Sequence, residues 1–204
     1  EIINPENNIS LTIMPKNPGA NSQVDATVES FLIDLNKAKI SWYLNGAIKQ
    51  SATGNKEFSF MTGKLGSANN LRVIIDTSDG MSVEKTFMIK PAKVDLVWEA
   101  DSIVHPFYEG KALFPPEGTI TFVALPELTD PIGSLISSDK LLYKWTKNRQ
   151  VAGDASGYGK NSFDVSGNIL SDTITVKVEV SSIDGGQMAE NQLTITPQNP
   201  KILF

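Results

Sequence analysis

The chain contains no cysteine and only one histidine among its 204 residues, and none of its apolar runs is long enough to cross a bilayer. The absence of cysteine excludes disulfides, thiol catalysis and thiolate metal sites. Positive charge is also scarce, since 18 Lys and Arg against 23 Asp and Glu give a net charge of −5. This balance excludes the basic stripe of a nucleic-acid-binding protein, so we expect no nucleic-acid partner.

What is present is enough apolar sequence for a substantial core. Hydrophobic residues make up 40% of the chain and charged residues 20%, which argues against disorder of the whole chain. The length suits one large domain or two of about 100 residues each. Because the chain begins at Glu1 rather than Met, we expect a piece of a longer protein. Any membrane attachment would then lie in segments absent from this chain.

An approximate duplication decides between one domain and two. The first half reads ISWYLNG, GNKEF, LRVIIDTSDG and TFMIKP, and the second reads LYKWTKN, GKNSF, TVKVEVSSIDG and LTITP. Each half therefore has a tryptophan strand, a Gly-to-Phe step, a long alternating strand, an Asp-Gly turn and a last strand that ends on proline. Two copies of one β unit in tandem predict two domains, which we place at residues 1–92 and 93–204.

Alternation of apolar and polar residues predicts strands throughout and no helix of ten or more residues. Residues 31–37 are predicted as one helical turn or a crossing loop. The strand centres lie at 9–13, 24–28, 40–44, 58–60, 71–75, 83–89, 94–98, 120–124, 143–145, 163–165, 174–180 and 193–195. This spacing predicts an all-β chain of two tandem Ig-like antiparallel β-sandwich domains. Charges at Lys85, Lys177 and Glu179 are expected to protect sheet edges.

The matched tryptophans, Trp42 and Trp145, are the predicted centres of the two cores. An indole between two sheets buries a large apolar area and contacts both layers. With no disulfide available, packing must hold each domain together.

The tryptophan strands also carry a family resemblance. Tyr143-Lys-Trp145-Thr-Lys-Asn148 resembles the Y-x-W-x-x-N(G) strand of bacterial Ig-like and PKD-like β-sandwich modules, and Ile40-Ser-Trp42-Tyr-Leu-Asn45-Gly46 is a second version of it. The endings TFMIKP and LTITP are similar to the last strands of such repeats. The PKD run W-D-F-G-D-G is absent. This resemblance implies tandem sandwich modules of an extracellular protein.

A narrower resemblance rests on the segments VDLVWEA, HPFYEGK and NPKILF. They are similar to uncharacterised envelope proteins of very small host-associated bacteria, which are predicted to be exported and anchored to the membrane. The resemblance implies an extracellular or cell-envelope location and says little about activity.

One aromatic segment is the candidate interaction surface: Trp98, His105, Phe107 and Tyr108. A proline-rich aromatic stretch of this kind would serve as a recognition surface, or it would cover a sheet edge or fix the angle between domains. His105 has no histidine or cysteine to share a metal with, so we expect it to be structural or solvated.

Calcium is the single cofactor that the residues leave open. Asp76, Asp79 and Asp184 lie at predicted turns, where some extracellular sandwiches bind calcium, and Asp95, Glu99 and Asp101 form a weaker group. Calcium needs six or more converging oxygens, and no D-x-D-x-D-G loop is present. Aspartate in a hairpin turn ordinarily serves the turn itself, so we expect no metal or cofactor site.

Three functions fit these observations. The favoured one is a non-catalytic cell-surface module that acts as a spacer or adhesion domain, with a protein or glycan as partner. The second is a filament or pilus subunit in which residues 2–3 or 202–204 add a strand to a neighbour. The third is an accessory pair of domains in a secreted hydrolase. No catalytic residue is predicted in any of them.

Overall fold

The chain folds almost entirely as antiparallel strands joined by loops. The computed structural model describes residues 9–104, 107, 110–167 and 173–198. Within these ranges the helical content is a short 3-10 turn at Ser138–Lys140. No helix found there has the length and apolarity required to span a membrane. The described chain divides into two units. The first ends at Ala92 and the second starts at Lys93, except that residues 131–133 of a later loop are grouped with the first unit.

Unit 1 is a sandwich of a three-stranded and a four-stranded sheet. Its strands are β1 (Ile9–Met14), β2 (Gln23–Ser30), β3 (Lys39–Leu44), β4 (Ala47–Thr53), β5 (Glu57–Met61), β6 (Asn69–Asp76) and β7 (Ser82–Ile89). The sheet orders are β1-β2-β5 and β4-β3-β6-β7, and every pairing is antiparallel. Inward-facing residues of both sheets form a single apolar core.

Unit 2 repeats this arrangement. Its strands are β8 (Lys93–Ala100), β9 (Thr119–Glu127), β10 (Leu142–Lys147), β11 (Gln150–Val151), β12 (Gly157–Tyr158), β13 (Ser162–Ser166), β14 (Ile174–Ser181) and β15 (Met188–Ile195). One sheet has the order β13-β9-β8, and the other has β11-β10-β14-β15 with β12 also on β10. The edge beyond β10 is thus two short strands where unit 1 has the single seven-residue β4.

This strand order confirms the predicted fold class of two tandem Ig-like antiparallel sandwiches. Strands β4, β11 and β12 were not predicted, because β4 has all seven residues exposed and so shows no apolar alternation. Residues 31–37 form a loop between β2 and β3, which agrees with the predicted crossing loop rather than with one helical turn.

Both tryptophans lie where the duplication predicts them. Trp42 and Trp145 are fully buried, and each ring contacts a phenylalanine of the opposite sheet, Phe58 at 5.7 Å and Phe163 at 5.6 Å between centroids. Their partners in β6 and β14 are Val73 and Val178, which are also fully buried. Alternating apolar strands on both sheets therefore converge on each indole.

Each indole also makes the same hydrogen bond to the backbone. The Trp42 N–H donates to the carbonyl oxygen of Asn55 at 3.0 Å, and the Trp145 N–H donates to that of Lys160 at 2.9 Å. The residue before each acceptor is a glycine with positive φ, 73° at Gly54 and 71° at Gly159. A buried indole N–H requires an acceptor, and this turn supplies it in both units.

The predicted edge role of Lys177 and Glu179 is wrong, because β14 lies between β10 and β15. The two residues belong to an ion-pair chain on the outer face of that sheet. Glu179 contacts Lys144 at 2.8 Å and Lys177 at 3.1 Å, and Lys177 contacts Glu190 at 2.8 Å. Within this series of ion pairs, the hydrogen bond from Lys144 is the main cause that lowers the pKa of Glu179. The hydrogen bond to Glu190 is the main cause that raises the pKa of Lys177. Lys85 does lie on an edge strand, β7.

Replacing either tryptophan tests the two contributions separately. We expect Trp42→Ala or Trp145→Ala to cost about 3–5 kcal/mol of its unit's stability, because a large cavity opens between the sheets. Trp42→Phe should cost about 1–3 kcal/mol, since the Asn55 carbonyl loses its donor. Urea unfolding measures both. The control is Trp98→Ala, because the Trp98 ring is only half-buried. A loss of stability under about 1 kcal/mol in Trp42→Ala would contradict this description of the core.

The glycine before the acceptor gives a second test of the same turn. Gly54 has φ of 73°, and a Cβ there would lie 3.2 Å from the Asn36 carbonyl oxygen. Gly80 also has a positive φ, 88°, with nothing within 4 Å of its Cβ position. Gly80→Ala should therefore cost about 1–2 kcal/mol from backbone strain alone, and Gly54→Ala more. Equal losses in thermal or urea unfolding would show that the close approach to Asn36 is unimportant.

Candidate interaction surfaces

The predicted aromatic surface is only partly described. Trp98 lies on the inward-facing side of β8 and is half-buried, and the ammonium of Lys111 lies 3.8 Å from its ring centroid. This cation–π contact occupies one face of the Trp98 ring. Phe107 is 99% exposed, while His105 and Tyr108 lie outside the described residues. The role of these four side chains as an interaction surface stays a prediction.

The candidate calcium ligands are engaged in their own turns. Asp76 accepts a hydrogen bond from the Ser82 hydroxyl at 2.7 Å, and Asp79 accepts one from Thr77. Asp184 accepts from the Ser182 hydroxyl at 2.5 Å and from the Gly186 N–H at 3.0 Å. Across the described ranges no three His, Cys, Asp or Glu side chains group as a metal site. The possibility of calcium remains untested.

The loops that follow β6 and β14 share one hydrogen-bonding scheme. In unit 1 the Thr77 N–H donates to the Met81 carbonyl at 2.9 Å, and the Met81 N–H donates back to the Thr77 hydroxyl at 3.1 Å. In unit 2 Ser182 and Gln187 make the same two bonds, each at 3.1 Å. Met81 and Gln187 are therefore equivalent positions, although loop 182–187 is one residue longer than loop 77–81.

A second loop of unit 1, residues 31–37, lies at the same end of the sandwich. It is held from within: the Ser30 hydroxyl accepts the Leu32 and Ile33 N–H groups at 3.3 and 3.1 Å. The Asp34 carboxylate pairs with Lys37 at 3.3 Å, and hydrogen bonding from Lys37 lowers its pKa. Leu35 is buried and anchors the loop in the core.

The tips of these two loops expose large apolar side chains. Phe31 is 96% exposed, Leu32 61% and Met81 42%. Between loops 31–37 and 77–81 lies a cleft of about 290 Å³, lined by Leu32, Ile33, Asp34, Lys37, Ala38, Thr77, Ser78, Asp79 and Met81. No hydrogen bond or ion pair joins the two loops among the residues that the structure describes in unit 1.

The corresponding loops of unit 2 are bonded to each other. The Gln187 side chain accepts from the Thr129 N–H at 2.8 Å and donates to the Thr129 hydroxyl at 3.0 Å. Both residues are buried, at 5% and 6% exposure. This pair ties loop 182–187 to loop 128–141. The two units thus differ at one end, which is bridged in unit 2 and open in unit 1.

Sequence reasoning did not single out Phe31, Leu32 and Met81. The available signal was the run Phe31-Leu32-Ile33, which breaks the alternation at the end of β2. Three consecutive apolar residues cannot all face the core of a sandwich. Only Ile33 packs against it.

Tyr143 anchors loop 128–141 of unit 2 to its sheet. Its side chain is buried, and its hydroxyl donates to the Ser138 carbonyl at 2.9 Å. Burial is the main cause that raises its pKa to about 12, with a smaller contribution from Asp139. The hydroxyl therefore stays protonated over the whole physiological range.

Comparison with known proteins gives matches only at the level of structure. No protein-family model matches the chain, and no curated protein matches it. The fibronectin(III)-like modules of Clostridium thermocellum CbhA are 14% identical, with a TM-score of 0.40, over 93% of this chain and 94% of theirs. Three N-terminal domains of the outer capsid protein Hoc of bacteriophage RB49 are also 14% identical, with a TM-score of 0.36, over 93% of this chain and 58% of that one.

The ectodomain of mouse nectin-like molecule 4 is 11% identical, with a TM-score of 0.35, over 98% of this chain and 67% of that one. Because all these scores are low, the fold assignment rests on the strand order and register of the chain itself. The resemblance to envelope proteins of host-associated bacteria stays a prediction.

Titration of tyrosine tests the anchoring of loop 128–141. Since folding raises the pKa of Tyr143 from 10.0 to about 12, its stabilisation is complete below pH 10 and is lost as the pH rises through 12. We expect the ultraviolet absorbance of tyrosinate to show one late ionisation, and Tyr143→Phe to remove it. If the late ionisation persists in Tyr143→Phe, it belongs to another tyrosine. The control is Tyr158→Phe, because the Tyr158 side chain is half-exposed.

Proposed function

We propose that this chain is a non-catalytic pair of Ig-like modules in an exported cell-surface protein and that it works by binding a protein or glycan. The observation that carries the proposal is the exposure of the apolar side chains Leu32 and Met81 on two neighbouring loops that line one cleft, with Phe31 exposed next to Leu32 in the chain. Exposed apolar residues gathered on loops of a rigid scaffold are typical of interaction sites. The scaffold is rigid because each core is closed by a buried indole.

The polar groups of the described residues support binding rather than chemistry. Asp79 in unit 1 and Asp184 in unit 2 accept hydrogen bonds from groups of their own turns. The buried polar pair Thr129 and Gln187 satisfies itself. These four side chains therefore serve loop structure, which supports the proposal of a non-catalytic module.

Two measurements test this proposal. Antibodies against the chain should label intact, unpermeabilised cells of the source organism, and labelling only after permeabilisation would contradict a surface location. The purified chain should give saturable binding on arrays of extracellular proteins or glycans. The variant Phe31→Ser/Leu32→Ser should lose most of that signal, whereas the exposed unit 2 variant Leu135→Ser/Ile183→Ser should keep it. Silence on both arrays would contradict the interaction role.

A filament subunit is the second candidate, favoured by one observation. Strand β4 is an edge strand with seven exposed residues, and such an edge accepts an added strand. Lys49 in its middle and the register shift of β3 between Trp42 and Tyr43 work against pairing. The termini at residues 2–3 and 202–204 lie outside the described residues. Sedimentation at rising concentration decides, because a filament subunit polymerises and a monomeric module does not.

A further inference from the structure

We infer that the cleft between loops 31–37 and 77–81 of unit 1 binds a protein segment in which a basic residue stands next to an apolar one. This inference rests on the proposed interaction function and names its site and the chemistry of its partner. It depends on the internal comparison of the two units, on the exposed apolar side chains and on the charges that line the cleft.

The duplication shows that the cleft is not a necessary feature of the fold. Met81 and Gln187 make the same backbone bonds within their loops, yet Gln187 is buried against Thr129 and Met81 is 42% exposed. Unit 2 uses this position to join its loops, and unit 1 leaves it facing a cleft of about 290 Å³. Unit 1 therefore leaves its loops unbonded at a position where the same framework joins them in unit 2.

The walls of the cleft favour a partner with an apolar side chain. Leu32 and Met81 line it from the two loops, and Phe31, which precedes Leu32 in the chain, is almost fully exposed. Covering these side chains removes apolar surface from water, which is the main favourable term in association. Methionine also adapts its shape to different partners. Such a surface fits an apolar side chain inserted between the loops.

The charges that line the cleft favour a basic residue next to the apolar side chain of the partner. Two carboxylates, Asp34 and Asp79, line the cleft together with one ammonium, Lys37. Lys37 is paired with Asp34, so the excess charge is that of Asp79, in a chain of net charge −5. Asp79 bonds Thr77, and a carboxylate has further acceptor positions for a Lys or Arg. A basic residue on the partner complements this charge.

A second copy of the chain is a poorer occupant. A symmetric contact through this end would bring together two clefts that each carry the excess negative charge of Asp79. Facing like charges disfavour association. An anionic membrane surface is disfavoured for the same reason.

The experiment selects ligands from a phage-displayed library of random dodecapeptides on the immobilised full chain. We expect enriched peptides to combine Lys or Arg with an adjacent apolar residue, and their binding to weaken as salt rises. Leu32→Ser/Met81→Ser should weaken binding of a selected synthetic peptide about tenfold. Both side chains are exposed, so the fold should be retained. The matched unit 2 variant Leu135→Ser/Ile183→Ser should bind as the unaltered chain does.

A charge pair completes the design. Asp79→Asn should weaken binding about two- to fivefold, because it removes the carboxylate and keeps the acceptor of the turn. Asp25→Asn, on the outer face of β2, removes the same charge from unit 1 away from the cleft and should have no effect. Circular dichroism confirms that each variant is folded.

Three results would overturn the inference. They are enrichment of no peptide, enrichment of acidic or uncharged peptides, and equal loss of binding in the unit 1 and unit 2 double variants. Any of these leaves the interaction function open to the array measurement. Labelling confined to permeabilised cells would instead remove the proposed function, whatever the peptides do.

Discussion

The hydrogen bond from a buried indole to a backbone carbonyl is the interaction on which each unit depends. Trp42 lies in one sheet, and Asn55, its acceptor, leads into β5 of the other sheet, so the bond links the two layers. Trp145 and Lys160 repeat the link in unit 2. In a chain without cysteine no disulfide joins the sheets, so packing around the buried indole and this bond hold the two layers together.

The link also explains why the two units remain alike in some places and diverge in others. Positions that serve the indole are matched: Gly54 with Gly159, and Phe58 with Phe163. The tryptophan strands end alike too, since the Asn45 and Asn148 side chains accept the N–H of Asn70 and Thr175 at 2.8 and 2.9 Å. The exposed strands beside the tryptophan strands differ, because β4 is one edge strand of seven residues and β11 and β12 are two short ones.

The sequence predicts those parts of the fold whose side chains alternate, and it misses those that do not. Strands such as β6 and β14 are buried on one face, so their pattern survives in the sequence, whereas β4 is exposed on both and leaves no pattern. The alternation of apolar and polar residues does not reveal the order of strands in a sheet. For this reason the sequence wrongly predicts Lys177 on an edge strand. The cleft of unit 1 was missed because it depends on the absence of a bond that unit 2 makes.

That absence has a mechanical consequence for unit 1. Loop 31–37 is fastened to the core by Leu35 and to itself through Ser30 and Asp34, but not to loop 77–81. Because segments held by few contacts open at a lower free energy than the core, we expect the tip of this loop to move more easily than the sandwich. In unit 2 the same adjustment would first break two buried hydrogen bonds between Thr129 and Gln187. A duplicated framework thus has one end whose loops are hydrogen-bonded to each other and one end whose loops are not.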